Sequence, residues 1–131
     1  MKAYATEAVE FARRLGTSLD YSESSLERVD ELLGVIAGEQ PHTPSPGQDE
    51  DELWLLSKVF GAYVGEVVLT QIGGAWDQED TDVGIRPFVF VSGLKAYPVT
   101  KVWKRLTESE FDGVSGYCRA TRALLSGRDS L

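Results

Sequence analysis

A chain of 131 residues suits one domain and is too short for two ordinary ones. Its 21 acidic against 13 basic residues leave a net charge of −8, which argues against a nucleic-acid binder, because counterion release needs a basic face. One cysteine and one histidine exclude an internal disulfide, a cysteine-based zinc cluster and a histidine pair for a metal, so no metal or cofactor is expected.

Met1-Lys2-Ala3-Tyr4 leads directly into an amphipathic pattern containing acids, unlike a signal peptide, so a cytoplasmic protein is expected. Tyr4, Ala8, Phe11 and Leu15, flanked by Ala5, Val9 and Ala12, then fall on one stripe at helical spacing, and Gly16 follows as a terminator. A second helix starts at Leu19-Asp20-Tyr21-Ser22, with Ser22 as the cap, Tyr21 and Leu26 as a hydrophobic staple, and Leu26, Val29, Leu33 and Ile36 as its seam. It should end near Gly38. Residues 39–50 hold three prolines and no aliphatic side chain, which predicts a mobile surface loop, with His42 as a solvated loop residue.

The central helix begins in the acid run Asp49 to Glu52 and continues to Ile72, before Gly73-Gly74. Its apolar groups surround the axis almost completely, which predicts a helix buried in a globule. A membrane span is disfavoured: Lys58 and Glu66 would each cost about 2.5–3.5 kcal/mol at mid-bilayer. Gly61 and Gly65, on one side with Trp54, Ser57 and Val68, are expected to let another helix or a strand approach closely.

After Gly74 the period changes to short β-type runs at Ala75-Trp76, Val83 to Ile85, Phe88 to Val91 and Leu94 to Tyr97. Asp77 to Asp82 reads as a polar turn, Ser92-Gly93 as a two-residue hairpin connection, and Phe88 to Val91 as a strand covered on both faces. Pro98 opens a helix striped by Val99, Val102, Trp103 and Leu106. Thr107-Glu108-Ser109-Glu110 forms a capping box for a last helix burying Phe111, Val114, Cys118, Thr121 and Leu125, with residues 126–131 fraying. The expected architecture is a single α+β domain over 1–131: three N-terminal helices, an antiparallel sheet of three or four strands, and two C-terminal helices.

Charge is uneven along the chain. Residues 1–40 hold 4 basic and 8 acidic groups, residues 41–84 one basic and 9 acidic, and residues 85–131 8 basic and 4 acidic. Such polarity either closes on itself or offers an acidic surface to a basic protein partner.

Glu66 is the most informative position, a carboxylate between Leu55 and Val59 and beside Ala62 and Leu69 on the helical wheel. A charge on an apolar stripe must be paired or protonated. Either it is answered structurally, by Arg86, Lys95, Arg105 or Arg119 or by hydrogen bonds to the backbone of the sheet, or it serves as a general acid or base, or as the polar anchor of a pocket lined by Tyr63, Trp76 and Trp103. The acids Asp77, Glu79, Asp80 and Asp82 lack the spacing of a calcium loop and read as solvated. Cys118 has helical-core spacing and reads as an inert apolar group. Phosphate loops and serine-nucleophile elbows are absent from the sequence.

The segments Leu19-Asp20-Tyr21-Ser22-x-x-Ser25-Leu26, Val29-Asp30, Gly61-Ala62-Tyr63-Val64-Gly65-Glu66-Val67, Gly73-Gly74-x-Trp76, and Pro98 followed by Val102, Lys104 and Arg105 resemble motifs of a group of small uncharacterised bacterial proteins. The resemblance spans about residues 19–106. It implies that Tyr63, Glu66 and Trp76 form one unit with the glycines. Similar sequences occur among proposed toxin-immunity and secretion-associated proteins. The acidic middle segment, the compact size and the missing catalytic templates favour a non-enzymatic binding protein, an acidic inhibitor or immunity-like protein for a basic partner. The alternative is a small-molecule binder or enzyme built on Glu66.

Overall fold

A computed structural model describes residues 1–38, 49–107 and 113–129, the side chains of 37, 38, 49 and 127–129 excepted. Residues 39–48 of the expected loop, residues 108–110 of the expected capping box, Phe111 and residues 130–131 lie outside that set. Helix α1 (Lys2–Arg14) is followed by Gly16 at φ +82°, where the Thr17 N–H donates to the Ala12 carbonyl and closes the last turn. Its buried side is Ala5, Ala8 and Ala12, whereas Leu15 is 54% exposed. The contact face is centred on Ala5, Ala8 and Ala12, whose small side chains let α1 lie close against the central helix; Tyr4 and Phe11 of the expected stripe also pack on the core, Phe11 meeting Phe60 edge-on at 5.6 Å.

Helix α2 (Ser25–Gly38) is entered through a tight turn in which Ser22 Oγ accepts the Ser25 N–H at 3.2 Å, the expected cap. Leu26, Val29, Leu32 and Leu33 are buried. Helix α3 (Asp49–Gln71) already contains Asp49 and Glu50, so the end of the expected loop is helical, as suits acids in a first turn. From Ser57 to Val68 only Lys58 is exposed and only Glu66 is half-buried; the rest is core. By length and composition Glu50–Gln71 could cross a membrane, but 56% of its most apolar window is buried inside the protein. Its first turns emerge from the core: Glu50, Asp51, Glu52, Trp54 and Leu55 are exposed.

The sheet is antiparallel in the order β1-β2-β3, with β1 (Ala75–Thr81), β2 (Gly84–Val91) and β3 (Leu94–Ala96). Asp77 to Asp82 is not a turn, contrary to expectation. The strand runs to Thr81, paired with Gly84, and only Asp82-Val83 turns the chain. Acids fit an edge strand because their side chains reach solvent while the backbone pairs with β2. Ser92 and Gly93 both have positive φ, 48° and 86°, the geometry of the expected two-residue hairpin. Phe88 and Val89 are buried on opposite faces, but Phe90 is 45% exposed, so double coverage stops there.

Helix α4 (Pro98–Thr107) follows at once and packs on α3. A Cβ on Gly61 would stand 2.5 Å from the Val99 backbone, and one on Gly65 2.1 Å from the Trp76 ring. The glycine pair therefore admits a helix at one position and a strand residue at the other.

Helix α5 (Tyr117–Asp129) starts later than the capping box proposes and continues past Ser126, where fraying was expected. Its entry is capped from another element: Asp30 of α2 accepts the N–H groups of Val114 and Ser115 at 2.7 and 2.8 Å. Among the described residues the fold is α+β, three helices, a three-stranded sheet, then two helices.

Candidate functional site

Glu66 lies where α3 leaves the core toward β1. Its Oε2 accepts the Trp76 indole N–H at 2.9 Å. The indole reaches that position because Gly65, the preceding residue, leaves space for its six-membered ring. Both Glu66 and Trp76 are half-buried. The partner is thus a neutral donor, and none of the four cations expected to answer Glu66 forms an ion pair with it among the described residues. Arg86 and Lys95 are held by Glu79, Arg105 reaches toward Gly34, and Arg119 is exposed. An indole suffices because Glu66 sits at the margin of the core, where water still solvates part of the carboxylate.

Tyr63, three residues earlier on α3, is fully buried. Its hydroxyl accepts the Tyr21 backbone N–H at 2.8 Å and shares a 2.7 Å hydrogen bond with the Ser25 hydroxyl. Burial raises the phenol above its ordinary range. It serves as the internal peg that fixes the start of α2. Tyr21 covers it, the two rings tilted at 4.8 Å. Tyr21 has φ +63°, a costly conformation for an aromatic residue, held by Tyr63 on its N–H and by the Gln71 side-chain amide on its carbonyl at 3.3 Å. Partial burial first, and then the charge of Glu66, raise the Tyr21 phenol.

Trp103 stands elsewhere. It stacks flat on Trp54, centroids 3.9 Å apart and 7° from parallel, joining α4 to the emergent start of α3. Of the four expected pocket residues, then, Glu66 and Trp76 touch directly, Tyr63 is engaged with Tyr21 and Ser25 instead, and Trp103 belongs to a different surface. The sequence reads Tyr21 only as half of a hydrophobic staple, because nothing in its type announces a left-handed backbone.

The sheet carries a second polar centre. Glu79 Oε1 accepts from Arg86 at 2.8 and 3.1 Å and from the Tyr97 hydroxyl at 3.0 Å, while Oε2 binds Lys95 at 3.1 Å. These donors, Lys95 foremost and then Arg86, hold its carboxyl down at about 2. Arg86 also lies over the Tyr97 ring and Lys95 over Phe88. Glu79 was expected to be solvated with its acidic neighbours. The signal for its role is Arg86, directly opposite it across the ribbon.

Burial pushes the Cys118 thiol up to about 11, so it stays a protonated, unreactive core group at neutral pH. Among the described residues, no three His, Cys, Asp or Glu side chains converge to hold a metal ion. Comparison with protein-family models, with curated proteins and with solved structures gives no match for this chain.

Proposed function

We propose that this chain is a non-enzymatic, cytoplasmic binding protein that engages a basic protein partner by surface complementarity, as an acidic inhibitor or immunity-like protein does. One observation carries the reading. At the emergent start of α3, Glu50, Asp51 and Glu52 are exposed, and the next turn presents Trp54 and Leu55, 37% and 51% exposed. The stack on Trp103 holds Trp54 in place, which lowers the entropy lost when a partner covers it. An exposed aromatic anchor beside a run of acids suits a protein-binding surface. The ion pairs among the described residues engage Glu10, Glu23 and Glu79, and none of them engages Glu50, Asp51 or Glu52.

The test compares the wild-type chain with the combined charge reversal Glu50→Lys, Asp51→Lys and Glu52→Lys, each used as bait at low salt. The expected result is a basic protein retained by the former and lost from the latter. With that partner purified, the association rate should fall about tenfold or more as salt is raised. Recovery of no protein partner at low salt, or equal recovery by both baits, overturns the reading.

A second reading, Glu66 as the polar anchor of a small-ligand site, is supported by one specific feature: a half-buried carboxylate that a neutral indole, rather than a cation, satisfies.

A further inference from the structure

We propose that the outer edge of β1 receives an extended, basic segment of a partner protein as a fourth strand of the sheet. β1 follows the far end of α3 from Glu50, Asp51 and Glu52, so this surface is additional to the one at the start of that helix. Only two residues, Asp82 and Val83, join β1 to β2, so Thr81 and Gly84 form a hydrogen-bonded pair and every second pair behind them repeats it. Glu79 with Arg86, and Asp77 with Phe88, therefore spend their backbone groups within the ribbon. Trp76, Gln78 and Asp80 direct theirs the other way. Pro87, which has no N–H, fits this register because it stands opposite Gln78 at a non-hydrogen-bonded position. Among the described residues no backbone group outside the ribbon bonds to this edge. Asp77 Oδ1 accepts the Gln78 N–H at 2.8 Å, a local bond that an incoming carbonyl would replace.

The two edges of the ribbon differ. β3 ends at Ala96, opposite Val89, and beyond it the edge of β2 is blocked by Pro87. β1 has neither a proline nor a bulge and is guarded by charge instead, which works only against its own kind. In the register that would pair all of β1 with a second copy of itself, Asp77 stands opposite Glu79 twice, and like charges facing each other disfavour that pairing. A basic strand meets the reverse situation. Asp77 and Asp80 are exposed, alternate onto opposite faces of the strand, and form no ion pair among the described residues. None of residues 77–87 is buried, and a ribbon of two strands is only marginally stable in water, so a strand added to β1 completes the sheet where the chain leaves it thin.

The probe is an acetylated and amidated heptapeptide of alternating lysine and valine, matched to the seven residues of β1 and titrated into the full chain. The expected result is saturable binding with slower hydrogen exchange at the Gln78 and Asp80 amides, which face outward. Exchange at Glu79 and Thr81, whose amides already bond to β2, stays unchanged. Two control peptides should bind more weakly by about tenfold or more: one with glutamate for lysine, and a fully N-methylated form that keeps its charges but has no backbone N–H. Gln78→Pro removes an outward N–H that β2 does not use and should weaken binding by a similar factor. The combined Asp77→Lys and Asp80→Lys variant should prefer the glutamate peptide, which keeps the test decisive if the proline variant misfolds. No binding of the lysine peptide, equal binding of either control, unchanged affinity in a folded Gln78→Pro, or slowing spread evenly over both sets of amides overturns the proposal. Slowing without peptide that grows with protein concentration also overturns it, by making a second copy the occupant.

Discussion

Gly65 lies beneath the indole of Trp76, and a methyl group there would stand 2.1 Å from the ring carbon Cζ2, with a second ring carbon at 2.3 Å. Alanine is the better helix former by about 1 kcal/mol, so propensity alone favours Gly65→Ala. Sterics win, because the indole must leave its seat and take the Glu66 hydrogen bond with it. Overpacking of this kind costs about 1–3 kcal/mol, and the lost hydrogen bond adds to that. Gly116 is the control: its φ is not positive and nothing lies within 4 Å of an added Cβ. Gly116→Ala should therefore stabilise the protein by about 0.4–1 kcal/mol, by narrowing the unfolded ensemble. Urea unfolding of the two variants should move in opposite directions, and a neutral Gly65→Ala would show that Trp76 is not seated there.

At the scale of the elements, the β1–β2 ribbon is held by pairing whose sequence signal is indirect. Asp77, Glu79 and Asp80 have poor strand propensity, which is why the segment reads as a turn, yet Glu79 opposite Arg86 is a favourable cross-strand pair. The Ser92-Gly93 hairpin was legible because the turn itself demands particular residues. The extent of β1 was not, because it depends on where β2 lies. Glu79 gives this pairing a pH dependence of definite sign. Its carboxyl is held near 2 against an ordinary 4.5, so the folded chain binds that proton less readily than the unfolded one. The stabilisation is fully present above about pH 4.5 and is lost as pH falls through about 2. Thermal midpoints measured across that window should decline more steeply for the wild type than for Glu79→Gln. Parallel curves would mean that the three donors contribute nothing to stability.

For the whole molecule, the order of helices and strands was legible because each long segment has a clear period, and the all-round apolar pattern of α3 identified the core helix. Long-range polar contacts were not legible. Glu66 was recognised as unusual from its position on the helical wheel, but its partner is fixed by the course of the chain after Gly74, and no pattern within α3 encodes it. The attachment of α5 is similar. Local reasoning placed its start at a capping box, whereas the structure caps the approach with Asp30, 84 residues away in sequence from Val114. Gly113 is needed at that approach, since a Cβ would stand 2.7 Å from the carboxylate. Arg122 adds an ion pair to Glu23 of the turn that leads into α2, and Val114, Cys118 and Thr121 supply the buried side. Replacing Asp30 by alanine leaves two backbone N–H groups without their acceptor and loosens the last helix while the α1, α3 and α4 packing stays intact. The expected cost is that of a lost helix cap, about 0.5–2 kcal/mol. Hydrogen exchange should localise it: the amides of Tyr117–Asp129 lose protection in Asp30→Ala, while those in the middle of α3 fall only by the change in global stability. Uniform loss across both helices would mean that α5 and the core unfold as one unit, and that Asp30 fastens the whole fold rather than its last element.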